Sequence, residues 1–454
     1  MALTNHETQQ NSENTACKNP VLSYSGKGKV MDIRLHAPGL VCCAGNDRDS
    51  LNAAVNNGDS RGILPVIVPS PQGEDRPFLA GRIQNLPPLS PRFSDLPADS
   101  RLLRIISVSL EQIRSDVEAA ISAYGADRVG ICAGSCDNGS EFSLPAHRAF
   151  FSGGTFPSNY NIRFQSASFI AEFIAEYFGI RGPCLTVATA CASGAGAIIK
   201  GAQFIKSGIC DAVIAGGADL VSDTVLLGFS ALEAVSDEIC NPFSINRKGI
   251  TLGEGAAFFV LTGEDEDASG RSTGNGQGNA NAEINLQDNT AINLLGWGES
   301  ADAHHMTAPR PDGSGAAAAM RQALTHAGID CGKVDYINLH GTATPLNDSM
   351  EALALQNVFG GKIPPVSSTK PVTGHTLGAA GSLELAICWI KLSESEVSGV
   401  QLPVHNWDNQ QDPEIPALPF CEKGTRASLN ICMSNSFAFG GCNTSLIIGR
   451  RDND

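Results

Sequence analysis

Two stretches of this chain share a construction that few folds can use: a strand-like run, a tight turn, then a helix of residues too small to fill a core alone. The first, residues 186–196, reads TVATACASGAG, with Cys191 followed after one residue by Ser-Gly-Ala-Gly-Ala. The second, residues 368–381, reads STKPVTGHTLGAAG, with His375 followed after one residue by Leu-Gly-Ala-Ala-Gly. Small side chains permit close backbone approach, so each helix calls for a neighbour pressed against it. Duplication explains the echo; chance similarity of Ala/Gly-rich helices is the plain alternative.

The surrounding segments alternate. RVGICAGSC (128–136), DAVIAGGAD (211–219), GITLGEGAAFFVLT (249–262) and VDYINLHGTATP (334–345) read as buried strands, as does the start at 31–47. Residues 101–124 carry apolar side chains at helical spacing. ASGAGAIIKGAQFIKSG (192–208) and AAAAMRQALTHAGI (316–329) read as helices, the first with Gly208 near its C-terminal end. Alternation predicts an α/β chain with a parallel-rich sheet. The echo predicts that it is built twice: a half at 31–263 carrying Cys191 and a half at 291–454 carrying two histidines of interest. Residues 1–30 are polar without an apolar period and read as a flexible leader. Residues 264–290, rich in Gly and Asn, read as a linker or surface loop.

Composition narrows the function classes. The formal charge of −16 argues against nucleic acid as a general partner, and an acidic partner would need a local basic patch. There is no uninterrupted apolar run of membrane-spanning length and no charged-then-apolar secretory start, which points to the cytoplasm. The 14 cysteines are scattered, with no C-x-x-C pair, and read as reduced thiols; no His/Cys group has zinc-ligand spacing.

Cys191 falls where a strand ends and a helix begins, at the positive end of the helix dipole beside unpaired N–H groups. That setting favours the thiolate, the nucleophilic form of the side chain. A lone cysteine is more often a small buried hydrophobe. Two histidines in similar strand-to-turn positions shift the balance. NLHGTATP places His340 after an apolar run, with Gly341 next and hydroxyls at Thr342 and Thr344. His375 opens the second small-residue helix, five residues after Lys370. A Cys-His-His site is the reading that uses all three.

The segments TACASG, HGTATPLNDSMEA, STKPVTGHTLGAAG and NSFAFGGCN resemble, in this order, signature segments of the β-ketoacyl-acyl-carrier-protein synthases, and NPFSINRKGITLGEGAAFFVL and DAHHMTAPRPDG resemble two more. The resemblance extends from about residue 31 to 449. It implies a thiolase-like fold, two related α/β halves with two central sheets in a layered αβαβα core, usually as a homodimer or a related heterodimer. It implies that Cys191 accepts an acyl chain from the phosphopantetheine arm of an acyl carrier protein, with no bound cofactor and no metal. His340 and His375 would then promote decarboxylation of a malonyl thioester and stabilise the enolate. Lys370 and Glu351 correspond to a supporting ion pair, and Thr342 and Thr344 to hydroxyls that meet the pantetheine arm. The N–H groups of Cys191 and Phe439 correspond to an oxyanion hole, with Phe439, Gly440 and Gly441 as a mobile gate.

The chain departs from the family pattern at Ala438, where Gly is usual, and at Cys442, where Thr is usual. Ser244 replaces a common Asp, and Lys248 stands where an acidic residue is frequent. Three other readings compete: a non-condensing partner subunit, a thiolase acting on coenzyme A esters, and a silent scaffold subunit. An intact Cys191, His340 and His375 speaks against the first. The HGTATP and TKPVTGH segments speak against the second. Acyl chain length, and primary fatty-acid against specialised polyene or polyketide elongation, stay open at the level of sequence.

Overall fold

The structure, a computed structural model, describes residues 31–450 apart from 70–73, 94–95, 98, 138, 159, 265–290 and 395–398. The leader at 1–30, and the segment at 264–290 save its first residue, lie outside the described residues. Ten strands carry the central sheet: β1 (Asp32–Leu35), β2 (Val129–Gly134), β3 (Cys184–Val187), β4 (Ala212–Asp219), β5 (Gly255–Glu264), β6 (Asn293–Ala301), β7 (Tyr336–Asn338), β8 (Val366–Ser367), β9 (Ile431–Phe437) and β10 (Cys442–Gly449). Their order is β8-β7-β9-β10-β6-β1-β5-β4-β2-β3, with the short strand Gly39–Cys42 paired to β5 as an eleventh.

Outward from the centre, β1–β5 and β5–β4 are antiparallel, then β4–β2 and β2–β3 are parallel. The other side repeats the pattern: β6–β10 and β10–β9 antiparallel, β9–β7 and β7–β8 parallel. The sheet is therefore mixed rather than parallel-rich. The tight loop between β9 and β10 shows why, since a short connection can join only antiparallel neighbours. The two expected sheets meet as one ladder, through an antiparallel pairing of β1 with β6 at Ile33↔Leu294 and Arg34↔Asn293.

Nine helices matter for the layers: α1 (Arg101–Gln112), α2 (Arg114–Tyr124), α3 (Ser140–Gly153), α4 (Phe169–Phe178), α5 (Ser193–Lys206), α6 (Asp223–Ala231), α7 (Ser314–Ala327), α8 (Pro345–Phe359) and α9 (Ala380–Ser393). The single helix read over 101–124 is two helices that meet at Ile113, next to Gln112, whose amide bonds both the N–H and the carbonyl of Leu40. Consecutive strand residues feed opposite cores, as a period of two requires. Phe259 and Ile448 face α5 and α9, Phe258 faces α1 and α4, and Ile447 faces α7 and α8. The result is the αβαβα stack, with α5 and α9 as its middle layer.

The small residues of α5 and α9 are explained by that layer. A methyl added at Gly381 would lie 2.8 Å from the Ala195 Cβ, and one added at Gly194 would lie 2.8 Å from the Gly378 carbonyl oxygen. The two helix starts thus press directly against each other, which brings the residues just before them together. Among the described residues no helix is long and apolar enough to cross a membrane, and every cysteine is a free thiol.

Candidate active site

Cys191 sits in a 3-10 turn, Ala190–Ala192, between β3 and α5. Ala190 takes a left-handed φ of 49°, costly for a residue with a Cβ, and so marks a strained elbow. Ser193 locks it: its Oγ accepts from the Thr189 N–H at 2.9 Å and donates to the Ala190 carbonyl at 2.6 Å. The thiol is buried, and burial pushes it up to about 12, with Asp219 and Glu384 adding to the rise and Lys370 opposing it. Desolvation therefore opposes the thiolate that the helix terminus favours.

His340 follows β7 in a turn pinned from two sides. Glu351 on α8 accepts from the N–H groups of His340 and Gly341, both at 2.8 Å. Gly341 has φ 35°, and a Cβ there would lie 2.6 Å from the Ser368 Cβ, so only glycine passes. Lys370 Nζ bonds the His340 carbonyl and makes its ion pair with Glu384 of α9. This corrects the expected pairing: Lys370 pairs with Glu384, whereas Glu351 is held by backbone N–H groups. The reason is direction, because α9 presents Glu384 to the lysine while both Glu351 oxygens are turned into the His340 turn. Burial pushes Glu384 up to about 7 against the opposing pull of Lys370.

His375 is fixed by its backbone to the segment before β5, donating to Thr251 O at 2.7 Å and accepting from Gly253 N at 2.9 Å. Its Nδ1 accepts from the Leu377 N–H at 3.3 Å. That bond assigns the neutral tautomer with the proton on Nε2. Burial first, then the charge on Lys370, hold both imidazoles well below 6.5. The rings stand edge to face, 5.4 Å apart. A sulfur or nitrogen of each of Cys191, His340 and His375 lies within 4.8 Å of the other two, the one group of potential metal donors this close among the described residues.

The three residues form the floor of a cavity of about 340 Å³, whose walls include Thr342, Thr344 and Phe439. The two threonine hydroxyls bond each other at 3.0 Å. Phe439 begins the turn between β9 and β10, where Gly440 and Gly441 have φ of 82° and 75°. The Phe439 ring stacks on Phe229 of α6, centroids 5.8 Å apart. Gly440 N–H donates to Met306 O at 2.7 Å, and Asp302 N–H to Gly441 O at 2.8 Å. The two unusual residues, Ala438 and Cys442, bond each other across the neck of the turn at 2.8 Å. Lys248 also lines the cavity and pairs with Glu238 at 3.2 Å.

Sequence reasoning missed Glu384, Phe229 and Asp219. Glu384 had a signal, a lone carboxylate inside the apolar run SLELAICWI. Phe229 had none, since its partner lies over two hundred positions away in the chain.

Comparison with known proteins bears on this geometry. Residues 100–267 match the Beta-ketoacyl synthase N-terminal domain, and residues 292–400 the Beta-ketoacyl synthase C-terminal domain. The 3-oxoacyl-[acyl-carrier-protein] synthase 2 of Staphylococcus aureus is 32% identical over 363 residues, 76% of this chain and 81% of the relative. The chain belongs to the β-ketoacyl synthase family. The synthase of the same name from Vibrio cholerae is 34% identical over 351 residues, covering 75% and 80%. Among solved structures, the complex of a ketosynthase with its chain length factor from Xenorhabdus doucetiae contains a chain matching at 35% identity and a TM-score of 0.79, over 93% of this chain and 98% of that one. A β-ketoacyl synthase from Burkholderia phymatum matches at 26% and 0.73, over 93% and 100%. The fold is thus the thiolase-like one, and the β-ketoacyl synthase is an acyltransferase that forms carbon–carbon bonds.

Proposed function

We propose that this chain condenses an acyl group carried on Cys191 with a malonyl group, both delivered on the phosphopantetheine arm of an acyl carrier protein, in the cytoplasm. The observation that carries the assignment of roles is the convergence of one thiol and two neutral imidazoles on one cavity floor. The half at 31–263 supplies the thiol, and the half at 291–454 supplies the histidines.

In the first step the Cys191 sulfur attacks the acyl thioester carbonyl. The bond to the pantetheine sulfur breaks, and the thiol proton leaves on the departing pantetheine. The N–H groups of Cys191 and Phe439 are the donors proposed for the oxyanion, with Phe439 swinging from Phe229 to admit the chain. Thr342 and Thr344 would receive the pantetheine amides. In the second step the malonyl C–CO₂ bond breaks, and its electron pair becomes an enolate held by imidazole N–H donors. A neutral His375 carrying its proton on Nε2 suits this role, because it donates a hydrogen bond without first protonating the carbon. The enolate carbon attacks acyl-Cys191, the sulfur leaves as a thiolate that takes a proton from water, and a β-ketoacyl chain two carbons longer is released with CO₂.

The polar couplings at Lys370, Glu384 and Glu351 then serve to hold the His340 turn. The relative solved with a chain length factor supports assembly of this chain with a related synthase subunit, and elongation of a polyketide-type or fatty acyl chain. Intact-protein mass spectrometry tests the reading. Incubation with acyl-carrier thioesters should add one acyl mass at Cys191, and malonyl-carrier protein should discharge it. Cys191→Ala should abolish the adduct. An adduct that survives that change would sink the mechanism, and no adduct from any donor would favour a silent subunit.

A further inference from the structure

The structure assigns a positioning role to Asp219, the buried carboxylate that ends β4 and closes the strand segment DAVIAGGAD. We propose that it holds the turn after His375 so that the imidazole keeps its proton on Nε2. The proposal rests on the reading of His375 as an enolate donor.

Asp219 is fully buried and accepts five hydrogen bonds from four donors drawn from both halves of the chain. Its Oδ1 takes the Ser135 hydroxyl at 2.6 Å and the N–H groups of Cys136 and Asp137, each at 3.0 Å. Its Oδ2 takes Cys136 N–H at 3.0 Å and the Gly378 N–H. The first set lies in the turn after β2; Gly378 lies three residues beyond His375. No other carboxylate reaches that turn among the bonds described above.

The Gly378 contact matters because of what precedes it. Leu377 has φ 53°, a conformation that a branched L-residue adopts only when its surroundings impose it. That conformation aims the Leu377 N–H back at His375 Nδ1. The Asp219–Gly378 bond anchors the next peptide and so fixes the twist. The site is also built around a missing side chain: a Cβ on Gly378 would lie 2.5 Å from Asp219 Oδ2. A carboxylate is required because every group facing it is a donor; an amide would turn its NH₂ toward at least one N–H or hydroxyl.

The alternative is that Asp219 acts on the thiol. The electrostatics oppose it, because a negative charge behind Cys191 disfavours the thiolate that acylation needs. A purely structural clamp is the second alternative, and it makes a different prediction. Loss of a clamp would slow both half-reactions together, whereas a positioning residue should affect the histidine-dependent one alone.

Asp219→Asn separates these cases. Release of CO₂ from malonyl-carrier protein should fall roughly 10- to 100-fold, the scale of a misplaced catalytic group. Acylation of Cys191, followed by mass, should change by less than about threefold. The ring ¹⁵N signals of His375 in histidine-labelled protein should move from a pure Nε2–H tautomer toward a mixture. Gly378→Ala, which drives a methyl against the same oxygen, should reproduce the split by an independent route if the first variant does not fold. Ser135→Ala, which leaves the Gly378 bond in place, should not. Equal losses in both half-reactions, or unchanged ¹⁵N signals in both variants, would overturn the proposal. The ¹⁵N readout needs no substrate, so it stands even if the wild-type protein proves unable to decarboxylate a malonyl thioester; that result would instead reject the proposed function.

Discussion

A buried thiol raised to about 12 behaves differently from an activated one. Because only the thiolate alkylates, the rate of Cys191 with iodoacetamide should climb about tenfold per pH unit through pH ~9 without levelling off. A plateau below that pH would mean that the helix start wins over burial after all. The Lys370–Glu384 pair is the second residue-scale test. Both side chains are almost completely buried, at 1% and 3% exposure, so removing one strands the other. Lys370→Met should cost about 3–5 kcal/mol in urea unfolding. The loss also has a pH direction. Glu384 titrates near 4.5 when unfolded and near 7 when folded, so the folded state keeps a proton that the unfolded state releases. Its contribution is fully present below 4.5 and is lost as pH rises through 7. Without Lys370 the folded value rises further, so the variant should lose more stability at pH ~8 than at pH ~6. The reverse order would reject the buried pair as described. Cys191, His340, His375, Thr342 and Thr344 were legible in the sequence because each sits in a compact motif beside its own turn. The partner of Lys370 was not, since two glutamates lay within reach in sequence and only the facing of α8 and α9 decides between them.

At the scale of elements, the strand–turn–helix alternation was readable because buried strands and small-residue helices carry different periods. Strand sense was not. Nothing in NSFAFGGCN says that its two flanks form one antiparallel ladder, and that ladder is what makes the sheet mixed. The same connection is the gate, and it leans on α6 through one ring stack. Aromatic pairs of this kind contribute about 0.5–1.5 kcal/mol beyond area burial. Phe229→Ala should therefore loosen Phe439 and raise the alkylation rate of Cys191 by roughly 2- to 10-fold, without lowering the melting temperature much, since Phe229 is only partly buried. An unchanged rate would place the barrier to the thiol elsewhere, in the Met306 contact or the Ala438–Cys442 neck.

At the scale of the molecule the sheet ends on β3, which among the described residues pairs only with β2. Ile131 N–H bonds Pro183 O and Ser135 N–H bonds Val187 O. The odd-numbered residues of β3 thus face inward, and the N–H groups of Cys184 and Thr186 face the open edge. An unprotected edge strand is a template for another chain. Nearby in sequence, α3 and the turn after it expose Phe151 at 81% and Ile162 at 71%, apolar surface that a solvated face does not need. If the chain assembles with a related synthase chain as proposed, the open edge of β3, the strand that delivers Cys191, is the expected junction. Thr186→Pro removes an outward N–H and adds a ring on that side while sparing the ladder to β2. Light scattering after size exclusion should show the wild-type chain as a pair and Thr186→Pro as a single chain with its melting temperature nearly unchanged. Dissociation should also be favoured at low ionic strength, because each chain carries a formal charge of −16 that salt would screen. A wild-type chain that is single alone but pairs with a co-expressed synthase relative, and fails to do so after Thr186→Pro, would make the partner a different subunit. A Thr186→Pro chain that still pairs would show that the open edge of β3 is not the junction.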